Sequence, residues 1–249
     1  MPSVPYKRWS LKASCRVLWA VFSCFVVESL IFGFSVLPAA MFWDWHFDWK
    51  LPWPWLRVIL LSMAFVPAYV LFAIALMVLS AIATRVTGWR APEDVEMPID
   101  EPDWPLLNWV RYATSIHIVR IFAGVAFRST PVWTLYMRLN GARLGHRVFV
   151  NSLSVTDHNL LEFGNDVVIG GSVHLSGHTV EHGLVKTARV RLADGVTVGT
   201  SSVVGIGVEA GAGCHIGALS FVPKFSKLEA GQRYAGIPVH RIDQESNPV

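Results

Sequence analysis

From Leu192 to Val222 an apolar residue returns at every sixth position: Leu192, Val198, Val204, Ala210, Ile216 and Val222. Each is followed by a small residue or proline: Ala193, Gly199, Gly205, Gly211, Gly217 and Pro223. This rhythm fits neither the 3.6-residue period of a helix nor the two-residue period of a strand. It predicts a parallel β-helix, with each hexad forming one flat side of a triangular coil. The same rhythm opens at Leu144-Gly145 and Val150-Asn151, slips by one residue, and resumes at Phe163-Gly164, Ile169-Gly170 and Leu175-Ser176. Between Leu175 and Leu192 it breaks for SGHTVEHGLVKTARVR. A segment that leaves a repeat is extruded, and extruded loops of repeat folds form binding faces.

The other apolar pattern is continuous. Residues 17–43 carry one charge, Glu28, and residues 58–84 carry none. Each run exceeds the roughly 20 apolar residues that cross the hydrocarbon core of a bilayer. Two transmembrane helices are predicted, at about 17–43 and 57–84, within an N-terminal region 1–90. The first run is too long for a signal peptide and opens onto no small-residue cleavage site. An aromatic-rich connection, WDWHFDWKLPWPW, suits a membrane–water boundary. Residues 91–103, polar and acidic with proline, are predicted to be a linker. Residues 104–139 are apolar but hold Arg111, His117 and Arg120 in their first part. Sinking both arginines to mid-bilayer costs roughly 2.5–3.5 kcal/mol each, so a helical segment at the membrane face is expected. The β-helix occupies residues 140–249.

Composition agrees with this division. Of 249 residues 53% are hydrophobic, and the mean hydropathy is +0.43. Lys7, Arg8, Lys12 and Arg16 precede the first run and Arg85 and Arg90 follow the second, whereas only Lys50 and Arg57 lie between them. The positive-inside bias puts both ends, and the β-helix, on the cytoplasmic side of the membrane. A net charge of +3 is too mild to argue for nucleic acid. The three cysteines form no disulfide or metal pattern.

Candidate chemistry gathers in the break, where His178, Glu181, His182 and Lys186 fall within nine residues. A histidine has the unperturbed pKa of a general base, a carboxylate such as Glu181 can fix its tautomer, and Lys186 can meet developing negative charge. Spacing alone leaves two readings of His178, a base and a solvated loop residue. Lys224, Lys227, Arg233 and Arg241 cluster toward the end of the coil, either to bind phosphate or to cap the solenoid. His174, His178 and His182 lie four apart, a spacing that does not converge on a hexad coil, so no metal is expected.

The closing segment SFVPKFSKLEAGQRYAGIPVHRI, with Gly236, Pro238 and Ile242, resembles the end of the hexapeptide-repeat acyltransferases. A closer resemblance is to the membrane-embedded C-terminal units of poly-lysine-synthetase-like nonribosomal peptide synthetases. It is carried by Leu139–Gly145, Thr156-Asp157, Phe163–Asp166 and above all His178-Thr179-x-Glu181-x-Gly183-x-x-Lys186. The resemblance implies a left-handed coil and an acyl-transfer site containing His178, with Asp157 and Glu181 as further members. It also implies a thioester donor, acyl-coenzyme A or a phosphopantetheinyl carrier protein, bound near Lys224, Lys227 and Arg241. An amine or hydroxyl on a small or lipid-linked molecule would be the acceptor, and a homotrimer the assembly. Two other classes share these features: a γ-type carbonic anhydrase, which needs three histidines on zinc, and a non-catalytic membrane scaffold for a peptide synthetase.

Overall fold

The computed structural model describes residues 9–242. Two long helices, α1 (Leu11–Phe47) and α2 (Pro54–Thr87), form an antiparallel hairpin. Their ends follow local chemistry. Ser10 caps α1 by accepting from the Ala13 amide at 3.2 Å. Pro54 opens α2, where its missing N–H costs nothing, and Gly88 at φ 71° closes it in the left-handed conformation. The outer faces remain apolar and exposed, with Phe22, Phe25, Phe65 and Val66 among them, as suits lipid rather than water.

A third helix, α3 (Trp104–Val119), continues through a π-helical stretch, Arg120–Gly124, into the short α4 (Val125–Phe127). Among the described residues three helices are thus long and apolar enough to cross a membrane, Leu11–Phe47, Pro54–Thr87 and Trp104–Phe127. The third does not lie across the hairpin as an isolated surface helix would. It runs along it, antiparallel to α2: Ser115 meets Ser80 at 2.9 Å and Tyr69 donates to the Phe122 carbonyl at 2.7 Å. Arg111, one of the two arginines that argued against immersion, is buried. It donates to Ser23 of α1 at 3.0 Å, and its guanidinium lies over the Trp89 and Trp104 rings. A last helix, α5 (Pro131–Leu139), leads into the coil.

From Arg143 onward short parallel strands stack into three faces. On one, Val150, Ile169, Val198 and Ile216 point inward in register. On the second the inward column is Leu175, Val204 and Val222, and on the third Leu144, Phe163, Leu192, Ala210 and Leu228. All six residues of the founding hexad series are no more than 4% exposed. The glycines at the corners are there because the coils touch. A Cβ on Gly199 would lie 2.4 Å from the Ala218 amide nitrogen and 2.6 Å from the Gly217 carbonyl carbon, and backbone cannot yield as a side chain does.

The break in the repeat is a β-hairpin, His178–Glu181 paired with Leu184–Thr187. Its turn, His182-Gly183, has positive φ at both residues, the twist-matched geometry for a two-residue hairpin. Residues 91–103, expected as a linker, supply a third strand instead: Glu96–Pro98 pairs antiparallel with Leu184–Lys186. The cause is burial. Met97 and Val185 pack with Leu106 of α3 into a small separate core, and Glu93 holds Arg189 through two contacts of 2.6 and 2.7 Å.

Candidate active site

The chain leaves the coil at Ser176-Gly177 and enters the hairpin at His178. One coil earlier, Asp157 sits in the left-handed region at φ 52°, a conformation that aspartate tolerates better than most residues. Its side chain is 2% exposed. Oδ2 lies 2.5 Å from Nδ1 of His178 and accepts from the Ser176 hydroxyl at 3.0 Å and the Gly177 amide at 3.1 Å. Oδ1 accepts from the indole Nε1–H of Trp109 at 2.9 Å. The same indole stands edge-on to the imidazole, with ring centroids 4.8 Å apart. His178 is 28% exposed. Among the described residues nothing hydrogen-bonds its Nε2.

Burial pushes the Asp157 carboxyl upward and is the largest single influence on it. The hydrogen bond and charge of His178, with the bonds from Trp109 and Ser176, together outweigh burial and hold the carboxyl below its ordinary value. The carboxylate is therefore ionised and faces the imidazole. It fixes the tautomer with hydrogen on Nδ1, leaving the Nε2 lone pair toward solvent. This arrangement can remove a proton from a bound molecule and return it.

Glu181 does not reach the imidazole. It lies at the hairpin tip, in an ion pair with Lys224, and 3.7 Å from Lys186. Its carboxyl is lowered by the hydrogen bond from Lys224. Lys186 pairs with Glu96 at 2.8 Å, which raises its ammonium pKa. The hairpin thus folds down along the coil and its tip is tied to a later corner. Lys227 meets Glu209 at 3.6 Å and Arg241 meets Glu229 at 3.4 Å, both on exposed rims. Asp157 and His178 are brought together, as are Glu181, Lys186 and Lys224, in two separate groups.

Trp109, Ser176 and Gly177 escaped the sequence reading. Trp109 reads as an interfacial aromatic, and no spacing connects it to a residue 48 positions away. His158 is buried against Trp133 and Tyr136. Burial lowers its pKa to about 4, so it is neutral. Cys214 faces the coil interior, where burial pushes the thiol up to about 11 and leaves no thiolate to attack anything. His174 is on an outward position of its face. Among the described residues no three His, Cys, Asp or Glu side chains gather as a metal would require.

No family model matches the chain. It is 26% identical over 141 residues to delta-poly-L-ornithine synthetase of Acinetobacter baumannii, a match that covers 57% of this chain and 10% of that protein. Among solved structures it is similar to a hexapeptide-repeat acetyltransferase of Vibrio cholerae complexed with acetyl coenzyme A. That match has 21% identity and a TM-score of 0.38, covering 43% of this chain and 62% of the other. It is also similar to serine acetyltransferase of Brucella abortus, with 17% identity and a TM-score of 0.39, covering 70% of this chain and 56% of the other. The chain therefore spans a tenth of its curated relative and less than two thirds of either structural neighbour.

Proposed function

We propose that the chain is a membrane-anchored acyltransferase of the hexapeptide-repeat type. In this reading α1 and α2 span the membrane and the repeat winds as a left-handed coil on the cytoplasmic side. A thioester, on coenzyme A or on a phosphopantetheinyl carrier protein, gives up an acyl or aminoacyl group to an amine or hydroxyl. The name of the Acinetobacter relative supports an aminoacyl group and an amine acceptor. One observation carries the reading. A buried carboxylate grips Nδ1 of a partly exposed histidine whose Nε2 has no hydrogen-bond partner among the described residues, at the root of the segment that leaves the repeat.

The steps follow from that geometry. Nε2 of His178 takes the proton of the acceptor N–H or O–H as its heteroatom attacks the thioester carbonyl carbon. Asp157 stabilises the imidazolium formed. When the tetrahedral adduct collapses the C–S bond breaks, and the imidazolium returns its proton to the leaving thiolate. Glu181 and Lys186 stiffen the hairpin that walls the site. Lys224, Lys227 and Arg241 line the rim toward which the donor's phosphates would lie, in a groove shared with a neighbouring copy of a homotrimer.

The test is donor thioester consumption followed by mass spectrometry, with acetyl-coenzyme A and aminoacyl carrier proteins, for wild type and His178→Ala. Loss of about 10²-fold or more of turnover is expected for the variant, with unchanged circular dichroism. Full turnover by a folded His178→Ala protein would overturn the assignment.

A further inference from the structure

The described residues line an open pocket of about 920 Å³ whose walls do not include His178. It lies where the C-terminal end of α2, the segment leading from it, the first turns of α3 and the first coil meet. Four arginines line it, Arg85, Arg90, Arg143 and Arg189, against a single carboxylate, Glu93. That carboxylate is already engaged, because both of its oxygens are held by Arg189. Arg143 leans on Glu162 at 3.6 Å, outside the cavity. Arg85 spends only its Nε, on the Leu139 carbonyl at 2.8 Å, and has no carboxylate partner among the described residues. Arg90 is exposed and has neither an ion pair nor a side-chain hydrogen bond among them.

A cavity of this size lined by uncompensated guanidinium groups concentrates anions, and a guanidinium fork matches phosphate oxygens better than a point charge does. The walls add shape. Trp89 and Trp104 line the cavity, with the Arg111 guanidinium stacked against both rings from behind. Asn140 and Asn159 complete the wall, their amides already engaged with Tyr136, Thr84 and Ala91. At the same end of the helix hairpin Arg16 is already paired with Asp103 ahead of α3, and the carboxylates of residues 94–103 lie outside the lining, so the unpaired charge is that of the lining arginines themselves.

We propose that this pocket binds a phosphate group, with Arg85 and Arg90 as its principal ligands. The inference rests on the cavity and its unpaired cations, and stands whether or not His178 performs acyl transfer. Its phosphate is that of an anionic lipid headgroup or of a soluble phosphate compound. Basic pockets beside membrane helices hold such headgroups by the same chemistry.

The experiment uses the full chain at physiological salt in two arms. In one, native mass spectrometry counts lipid retained from nanodiscs of phosphatidylglycerol and, separately, of phosphatidylcholine. In the other, calorimetry in lipid-free detergent titrates inorganic phosphate and pyrophosphate. Wild type should hold the anion in at least one arm and prefer phosphatidylglycerol where the headgroup is the source. The double variant Arg85→Gln/Arg90→Gln should bind about 30-fold more weakly, from about a kcal/mol per basic residue. Arg90→Gln alone, which breaks no contact in the fold, should bind about fivefold more weakly. Lys50→Gln/Arg57→Gln, of equal charge at the opposite end of the hairpin, should bind as wild type. No binding in either arm above the phosphatidylcholine background overturns the proposal. So does unchanged affinity in a folded Arg90→Gln protein.

Discussion

Replacing Asp157 by asparagine changes one atom's charge and almost no volume, so it isolates what the carboxylate does. In the native site every group facing Asp157 can donate. Oδ1 receives the Trp109 indole, and Oδ2 receives the Gly177 amide, the Ser176 hydroxyl and His178 Nδ1. An asparagine brings its own NH2 into this set of donors. If the NH2 takes the place of Oδ2, it points at the Gly177 amide and at Nδ1. Nδ1 must then accept, the ring proton moves to Nε2, and the base disappears. If it takes the place of Oδ1, it confronts the Trp109 N–H. The tautomer survives there, but the charge that stabilises the imidazolium is gone and a buried donor is orphaned. The second arrangement loses about 10² in turnover and the first about 10⁴, or about 3–5.5 kcal/mol of transition-state stabilisation across the range. The assay is release of free thiol from the donor identified with wild type, at saturating acceptor, with kcat and KM separated. A fall in kcat with KM nearly unchanged is expected. A folded Asp157→Asn protein within threefold of wild-type kcat would refute the dyad.

Two further outcomes follow from the same contacts. Trp109→Phe keeps an aromatic, though smaller, ring but removes the donor to Oδ1, and should lower kcat about tenfold, the worth of a hydrogen bond to a charged group. Placed on Asp157→Asn, the same change removes the donor clash, so the double variant should be no slower than Asp157→Asn alone; additive losses would show that the indole does not position the carboxylate. Acid stability should track Asp157 as well. Its folded pKa is depressed, so its contribution is complete above the unfolded value of about 3.9 and is lost as pH falls through the folded value. Wild type should lose more melting temperature between pH 6 and pH 3 than Asp157→Asn does, and parallel curves would contradict the linkage.

The coil was legible because its cause is local and repeated. Each hexad buries one aliphatic and turns at one small residue, and Leu192, Val198 and Val204 carry that information without help from distant sequence. The apolar helix hairpin was legible for the same reason, since hydropathy accumulates along one segment. The strand Glu96–Pro98 was not. Three residues with alternating burial leave no periodic signal, and what makes them a strand is an edge of the extruded hairpin 90 positions away. The packing of residues 104–127 along the hairpin was not legible for a related reason. The cost assigned to Arg111 assumed a lone helix in lipid, whereas Ser23, Trp89 and Trp104 provide a polar and aromatic socket. Within the site, the motif pointed to His178, and the structure places that residue at the root of the break; the tautomer-fixing carboxylate, read from spacing as Glu181, is instead Asp157 on a neighbouring coil, which only the resemblance had named. Three positions in sequence separate Glu181 from His178, but on a strand they point to opposite faces, and the partner in space is Asp157.

These contacts also bear on why a membrane module and a β-helix share one chain. A coil of this kind can bury its own aliphatics, so the helices are not needed to complete its interior. They are needed one shell further out. Oδ1 of Asp157 is satisfied by a residue of α3, and the hairpin that starts at His178 is completed as a sheet by the segment joining α2 to α3. Arg189, the buried cation beneath that hairpin, finds its carboxylate on the same joining segment. Without the helical region the carboxylate would lose one of its donors, the hairpin would expose a bare strand edge, and Arg189 would be left as an unpaired charge. The tilt of α3 against the α1–α2 hairpin therefore sets the position of Trp109, and through it the orientation of the imidazole. Whatever moves α3 acts on the Asp157–His178 geometry directly through Trp109, and an anchor attached by a flexible tether would have no such purchase.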